Sequence, residues 1–257
     1  MLDEPRRIPP PESWKHYELW ERIKDTINEI PKYFKSTISV SGIRATEIYT
    51  FGAVLGITIE EEVVRTLNDL RNLWDPEDNY GDYSFIRQAE TFPDVLFMNA
   101  DTGDIIMGIE LKSWYLLAKE GEPSFRFTVS AKACAFQELL VVVPWALSNV
   151  LSGTPIIFEP YIELARYVAE YRNHWWKNIR NAKGSTEIKS PEGVAPYPNV
   201  RDEISDMPID DKGKNFGRIA RIGIMDEYVK TFEDLSLLGI KVQEWRKFFK
   251  EKVGNFR

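Results

Sequence analysis

The sequence predicts a fold of the α/β (α+β) class, in which a mixed sheet is flanked by helices. Three observations support this fold. Residues 91–115 form two apolar stretches separated by a turn-like segment, residues 52–74 carry apolar side chains at helical spacing, and residues 140–143 are an apolar, β-branched run typical of a central strand. The chain has 257 residues, of which 43% are hydrophobic, and that is enough to bury a large core. We therefore expect one elaborated domain over residues 1–257, with a core at about 52–160 and helical additions at both ends.

The two apolar stretches within residues 91–115 are predicted to form a β-hairpin. Its strands are Asp94 to Asn99 and Ile105 to Tyr115, and the turn between them carries Gly103. Side chains alternate between the faces of a strand, so Glu110 and Lys112 are expected on the same side. Pairing across the hairpin brings Asp94 beside them.

Two carboxylates and a lysine at one point favour metal-assisted chemistry. Asp94 and Glu110 supply the oxygen ligands that Mg²⁺ prefers, and the backbone carbonyl of Leu111 is a third candidate ligand. Lys112 supplies a cation for an attacking water or a phosphate. The alternative is a structural ion pair on a solvated strand face, but the flanking residues 105–109 are mostly apolar and favour burial.

Pro93-Asp94 and Glu110-Leu111-Lys112 resemble the signature of the PD-(D/E)xK nuclease superfamily, and within it the type II restriction endonucleases. The motif covers only about a tenth of the chain. The resemblance implies a restriction-endonuclease-like core and Mg²⁺-dependent hydrolysis of double-stranded DNA at a specific short sequence, leaving 5′-phosphate and 3′-hydroxyl ends. It also implies a homodimer, and that Mn²⁺ can replace Mg²⁺.

An amphipathic helix is predicted upstream of the hairpin. Its apolar positions are Ile59, Val63, Leu67, Leu70 and Trp74, with Thr58 as the N-cap and three glutamates, residues 60–62, in the first turn. In relatives a helix at this place adds a further glutamate to the metal site, and the resemblance assigns that role to Glu60. The alternative is that all three glutamates simply favour the start of the helix.

Residues Ser130 to Leu139 are predicted to form a short helix before the central strand. Helix, three strands, helix and strand is then the order of elements, and the resemblance equates it with the nuclease core. Lys132 and Gln137 on this segment either face the site or are solvated.

The net charge of −7 is unevenly distributed. Residues 1–164 carry 15 Lys+Arg against 26 Asp+Glu, a net −11, whereas residues 165–257 carry 18 against 14, a net +4. The basic half therefore supplies the candidate DNA contacts. They lie in two segments, and the residues are Lys177, Arg180, Lys183, Lys212, Lys214, Asn215, Arg218 and Arg221.

Each of these two segments has an alternative interpretation. Trp175 and Trp176, which interrupt the first basic segment, are also expected to be partly core. The second segment, residues 211–223, is rich in glycine and is either a loop that reads bases or clamps phosphate, or a turn before a helix that begins near Met225.

The remaining segments are assigned more simply. Residues 5–11 are expected to be an extended arm, Trp14 to Phe34 a helix, Gly184 to Pro208 a loop, and Thr231 to Val253 a helix that is either continuous or broken at Gly239.

The composition indicates in which cellular compartment the protein is expected. A single cysteine, Cys134, fits a reducing compartment, and no apolar run reaches the roughly 18 residues of a membrane span. We expect a cytoplasmic protein without a membrane partner, and the resemblance to restriction endonucleases implies a prokaryotic one.

Three other functions remain open at this point. A DNA repair, junction-resolving or mobile-element nuclease would share the same core. A non-catalytic DNA-binding protein would retain the fold, although such a relative is expected to have lost one of Asp94, Glu110 and Lys112. A metal-free structural protein would bind neither Mg²⁺ nor DNA.

Overall fold

The computed structural model describes residues 4–88, 90–181 and 183–254. Its helices are α1 (Tyr17–Tyr33), α2 (Ile48–Asp69), α3 (Arg71–Trp74), α4 (Ala165–His174), α5 (Asp226–Thr231) and α6 (Val242–Gly254), and α4 continues into a π-helical turn at Trp175–Ile179. The main strands are β1 (Tyr83–Arg87), β2 (Val95–Asn99), β3 (Ile105–Tyr115), β4 (Leu139–Leu147), β5 (Pro155–Ile157) and β6 (Tyr161–Leu164). Two short hairpins follow, made by β7 (Ile188–Lys189) with β8 (Met207–Pro208) and by β9 (Ser236–Leu237) with β10 (Ile240–Lys241).

The main sheet is mixed, which confirms the predicted α/β class. Its order is β1-β2-β3-β4, and β5 and β6 both pair with the far edge of β4. The β2–β3 pair is the predicted antiparallel hairpin, whereas β3 and β4 run parallel. Every residue of β4 is buried, as expected for a strand with neighbours on both sides.

The helices α1 and α2 cover one face of this sheet. The expected apolar face of α1 is buried, including Trp20, Ile23 and Ile30. Ile27 of α1 and Val63 of α2 meet the strand residue Ile109 around a small void. One continuous apolar cluster extends from α1 to α6, and this burial supplies most of the stability of such a fold. In the described part of the chain, each helix is too short or too polar to cross a membrane.

The predicted start of the second helix is wrong. The helix α2 begins at Ile48 rather than after Thr58, so residues 60–62 lie in mid-helix. Two glycines mislead the sequence interpretation because they resemble a helix break. They are needed instead for close packing, since a Cβ on Gly52 would lie 2.4 Å from the Tyr115 ring and one on Gly56 would lie 2.7 Å from Ser113 Oγ.

The helix predicted at 130–139 is also wrong. Only a 3-10 turn forms there, at Ala131–Ala133. The chain just before it is extended and bonded to distant residues, because the Ser130 amide donates to Ile204 (2.7 Å) and Arg172 donates to the carbonyls of Phe127 (2.7 Å) and Val129 (2.9 Å). Backbone groups that are satisfied in this way need no helix.

The C-terminal helix is shorter than predicted. The break at Gly239 is confirmed, but residues 236–241 form the β9–β10 hairpin instead of a helix. Leu238 and Gly239 both have positive φ angles, of 53° and 80°, which is the geometry of a tight hairpin turn. The loop predicted over 184–208 is largely irregular, as expected.

Candidate active site

The candidate site lies where β3 continues past the end of β2. The first residue of β2, Val95, pairs with Ile109, so residues 110–115 of β3 have no strand on that side. Two carboxylates take the place of the missing strand. The Leu111 amide donates to Asp94 Oδ2 (3.0 Å) and the Ser113 amide donates to Glu60 Oε1 (3.0 Å).

Asp94, Glu110 and Lys112 are brought together as the hairpin predicts, and we call them the carboxylate–lysine cluster. Lys112 Nζ lies 2.7 Å from Asp94 Oδ2 and 2.8 Å from Glu110 Oε1. The side chain of Glu110 is 9% exposed, and those of Lys112 and Asp94 are 22% and 23% exposed. A single ammonium therefore pairs with two carboxylates that are largely withdrawn from water, and its charge balances only one of them.

The position of Asp94 depends on a close contact between Pro93 and Gly108. A Cβ on Gly108 would lie 2.3 Å from Pro93 Cγ, so glycine is the residue that lets the Pro93 ring pack directly on β3. The peptide that carries Asp94 is thereby held against the strand that carries Glu110.

Of the three glutamates on α2, only Glu60 reaches this region. Besides the Ser113 amide, it binds Arg87 at 3.0 Å. Glu61 is exposed, and Glu62 accepts hydrogen bonds from the amide and hydroxyl of Thr37, both at 2.7 Å. Among these three residues, the structure thus places Glu60 beside the cluster, as the resemblance implied.

Burial and charge shift the pKa values of Glu110, Lys112 and Glu60. Burial raises the pKa of Glu110 to about 7, an effect that Lys112 opposes and Asp94 reinforces. Burial by itself would lower the pKa of Lys112, but the charges of Glu110 and Asp94 outweigh it and raise that pKa. Burial also raises the pKa of Glu60, partly offset by the Ser113 amide and Lys112.

A cleft of about 280 Å³ opens over the cluster. Asp94 and Glu110 line one side, and residues 199–204 of the long C-terminal loop line another. Because the N–H and C=O of one strand residue point to the same side, the Leu111 carbonyl is directed toward the Asp94 side of β3. This is the orientation that the proposed third metal ligand requires.

A larger groove of about 460 Å³ lies on the α2 side of the site. Glu60 and Ser113 are at its floor, and the small residues Gly52, Ala53 and Gly56 of α2 form one wall. One cleft therefore opens next to Asp94 and Glu110, and the other next to Glu60 and Ser113.

Sequence reasoning missed one buried acid near the site. Glu138, immediately before β4, is 0% exposed, and its Oε2 accepts from the Ala135 amide (2.9 Å). Its Oε1 is buried with no hydrogen-bond partner among the described residues. Burial, reinforced by the charge of Glu110, raises its pKa well above the ordinary value. Sequence alone does not reveal this residue, because Glu138 comes to lie beside Gly108 only through the parallel pairing of β3 with β4.

Lys132 and Gln137, the two candidates within residues 130–139, have different surroundings. Lys132 is exposed. Gln137 donates from Nε2 to the Ile106 carbonyl (3.1 Å) and is 3.0 Å from the Tyr197 hydroxyl, so it holds two segments together.

The first predicted DNA-contacting segment, which carries Lys177, Arg180 and Lys183, follows the C-terminal end of α4. Lys177 and Lys183 are exposed, and the Arg180 guanidinium lies 3.4 Å from the centre of the Trp176 ring. Trp176 is 0% exposed and Trp175 is half-buried, so the core interpretation of the tryptophans is confirmed.

The second segment, residues 211–223, leads into α5, whose N-cap is Met225, so the predicted turn before a helix is present. Lys212 and Lys214 are exposed, and Arg218 is half-buried. Arg221 donates to the side-chain oxygen of Asn215 and lies 3.9 Å from Glu122, so these two candidate base-reading side chains are engaged with neighbours.

The two basic segments lie side by side. The Trp176 ring packs edge-on against Phe216, with centroids 5.1 Å apart. They are also connected to the site, because Phe127, whose amide donates to Gly217 (2.7 Å), packs against Phe92 at 5.9 Å. Phe127 thus links the second basic segment to Phe92, which is two residues from Asp94.

Comparison with protein-family models, with curated proteins and with solved structures gives no match to this chain. In the described part of the chain, no three His, Cys, Asp or Glu side chains are grouped as a ready-made metal site. The site is therefore interpreted from its geometry.

Proposed function

We propose that this protein is a metal-dependent endonuclease that hydrolyses phosphodiester bonds of double-stranded DNA at a specific short sequence. The observation that carries the proposal is the convergence of Asp94, Glu110 and Lys112 at the open end of β3. A structural ion pair needs one carboxylate for one lysine, whereas here two carboxylates share a lysine beneath a cleft.

The donor set fits Mg²⁺ bound jointly by protein and substrate. Mg²⁺ is usually held by one or two carboxylates together with water and phosphate oxygens, rather than by a complete protein cage. Asp94, Glu110 and the Leu111 carbonyl would hold it, and Mn²⁺ is expected to replace it. When bound, the metal would supply a Lewis acid for the phosphate and lower the pKa of a water molecule.

The protein residues have separable roles in this proposal. Among the described residues, the Asp94 carboxylate accepts two hydrogen bonds, both on Oδ2, one from the Leu111 amide and one from Lys112, so it is held by β3 while it faces the cleft. The ammonium of Lys112 stabilises charge on the phosphate or on the attacking water. Glu60 orients the Ser113 peptide next to Lys112.

The charge distribution supports DNA as the substrate. The exposed lysines 177, 183, 212 and 214 lie on the two adjoining basic segments, where phosphates would be bound. We further propose that the protein acts as a homodimer, so that each subunit cuts one strand of a short palindrome. Sedimentation equilibrium with and without a cut-site duplex tests this point.

The central test is to digest a complex DNA with the purified protein and Mg²⁺ and to sequence the ends. Discrete 5′-phosphate ends that share a short motif are expected. Structure-dependent cuts would instead indicate a repair or junction-resolving nuclease, and an absence of cuts with retained DNA binding would indicate a non-catalytic protein.

Two variants identify the site responsible for the cutting. Asp94→Ala and Glu110→Ala are each expected to abolish cleavage while duplex binding in Ca²⁺ is kept, since Ca²⁺ accepts the same oxygens with looser geometry. Asp101→Ala, which changes an exposed carboxylate in the β2–β3 turn, is the matched control and should cut normally. Full activity of either site variant would overturn the assignment.

A further inference from the structure

A tight turn at residues 199–202 faces the carboxylate–lysine cluster across the cleft. The Asp202 amide donates to the Asn199 carbonyl (3.0 Å), and the Asn199 amide donates to Asp202 Oδ2 (2.9 Å). Asn199, Val200 and Asp202 line the same cleft as Asp94 and Glu110. We call residues 199–202 the anchored turn, because both of its ends are fixed.

Its N-terminal end is fixed by Tyr197. The Tyr197 hydroxyl is 3.0 Å from Gln137 Nε2, which also donates to the Ile106 carbonyl in β3 (3.1 Å). The turn is therefore tied to the same strand that carries Glu110 and Lys112.

Its C-terminal end is fixed by backbone pairing and a buried ion pair. The Ser130 amide donates to the Ile204 carbonyl (2.7 Å), and the Asp206 amide donates to the Thr128 carbonyl (2.8 Å). Arg172 binds Asp206 Oδ2 at 2.6 Å, with the two side chains 1% and 0% exposed. Breaking such a pair leaves an uncompensated buried charge, so the anchor is firm.

The side chains that the anchored turn presents suit bases better than phosphates. The Asp202 carboxylate accepts a hydrogen bond within the turn and would repel a phosphate, whereas Asn199 and Val200 are neutral side chains that line the cleft. Val200 is 64% exposed. An amide pairs with the edge of adenine, and an apolar side chain contacts the methyl group of thymine.

We propose that the anchored turn reads the base pairs next to the scissile phosphate, with Asn199 and Val200 as specificity-determining residues. This inference rests on the proposed nuclease function, because it assumes that DNA enters the cleft. It moves the main sequence-reading element from residues 211–223 to a turn that shares a cavity with the catalytic cluster.

The test compares the wild-type protein with Asn199→Ala/Val200→Ala and with the control Ile209→Ala. Ile209 is 62% exposed and directly follows β8, outside the residues that line the cleft. Each protein digests a randomised duplex library with Mg²⁺, the ends are sequenced, and binding to a cognate and a scrambled duplex is measured in Ca²⁺. The expected result is a roughly tenfold loss of discrimination at one or two base pairs beside the cut, with the motif unchanged in the control.

The outcomes separate the two proposals. If the wild type cuts at a motif and the double variant cuts at the same motif with the same discrimination, the inference about the turn is overturned and the nuclease proposal stands. If the wild type binds no duplex and cuts none, both are overturned. Thermal melting checks the fold of the double variant, and if its Tm falls, Val200→Ala alone is compared with the control by the same criterion.

Discussion

At the scale of the single residue, Lys112 has one observed and one proposed role. Its ammonium pairs with both Asp94 and Glu110, with Nζ–O distances of 2.7 and 2.8 Å. In the proposed function, the same charge would act on a phosphate oxygen or on the attacking water. A guanidinium is planar and binds through a fork, whereas a compact ammonium moves between these partners with little rearrangement.

Replacing Lys112 by alanine is expected to reduce the turnover number by roughly 100-fold and duplex affinity much less. The reason is that its charge interacts mainly with charge that develops in the transition state. Single-turnover cleavage and Ca²⁺-supported binding measure the two effects. Lys250→Ala, an exposed lysine on α6, is the control. Equal losses in both measurements would show that Lys112 is a simple phosphate contact.

Glu110 makes a pH-dependent contribution to stability. Its pKa is raised from an ordinary value of 4.5 to about 7, mainly by burial, so between these values the folded protein binds more protons than the unfolded chain. The contribution is fully present below about pH 4.5 and is lost as the pH rises through 7, by about 3 kcal/mol at most. In metal-free buffer, the free energy of unfolding of the wild type should fall over this interval relative to Glu110→Gln. Parallel pH profiles for the two proteins would contradict the expectation.

At the scale of elements, the site is a consequence of unequal strand lengths. The strand β3 extends six residues beyond its last pair with β2. The amides of this extension that point to the β2 side have no strand partner, so they need other acceptors. Asp94 and Glu60 accept from these amides at 3.0 Å. The same carboxylates are thus required both by the backbone of β3 and by the proposed chemistry.

Gly108→Ala tests whether packing on β3 positions Asp94. The added Cβ would lie 2.3 Å from Pro93 Cγ, so the Pro93-Asp94 segment must move. We expect a loss of about 1–3 kcal/mol in the free energy of unfolding, together with a large loss of cleavage. Gly42→Ala is the matched control, since a Cβ there meets nothing within 4 Å. Chemical denaturation and the cleavage assay measure both effects, and normal values in both would show that Asp94 is positioned in another way.

Elements with strong local patterns were predictable. The β2–β3 hairpin, the buried face of α1 and the break at Gly239 all follow from alternation, helical spacing or turn-forming residues. The predicted helix at 130–139 is wrong, and the chain leading into it, residues 127–130, instead bonds to Arg172 and to residues 204–206, which are distant in sequence. Local propensity carries no information about such partners.

At the scale of the whole molecule, the chain folds its basic half against its acidic half. The segments that carry Arg180 and Lys212 adjoin through the Trp176–Phe216 contact, and exposed lysines lie on both of them. Residues 126–130 connect these segments to Phe92, beside the site. Under the proposed function, charges separated by more than 30 positions in sequence would form one interface for phosphates.

Alanine at Lys183 or at Lys212 is expected to weaken the binding of all duplexes to a similar extent. Each change removes one phosphate contact, so the slope of log K against log salt concentration should flatten by about one unit. Binding to a cognate and a scrambled duplex in Ca²⁺ at several salt concentrations provides the measurement. Lys250→Ala should leave the slope unchanged. A loss confined to the cognate duplex would mark the residue as a base contact instead.

The sequence by itself determined the fold class, the hairpin and the grouping of Asp94, Glu110 and Lys112, because strand alternation and a short turn fix which side chains converge. It indicated Glu60 only through a resemblance. Tertiary structure alone decided that Glu60 binds the Ser113 amide, that Glu138 is buried next to Gly108, and that residues 199–202 face the cleft. These outcomes depend on partners that are distant in the chain, whose pairing is settled by packing of the whole core rather than by any local pattern.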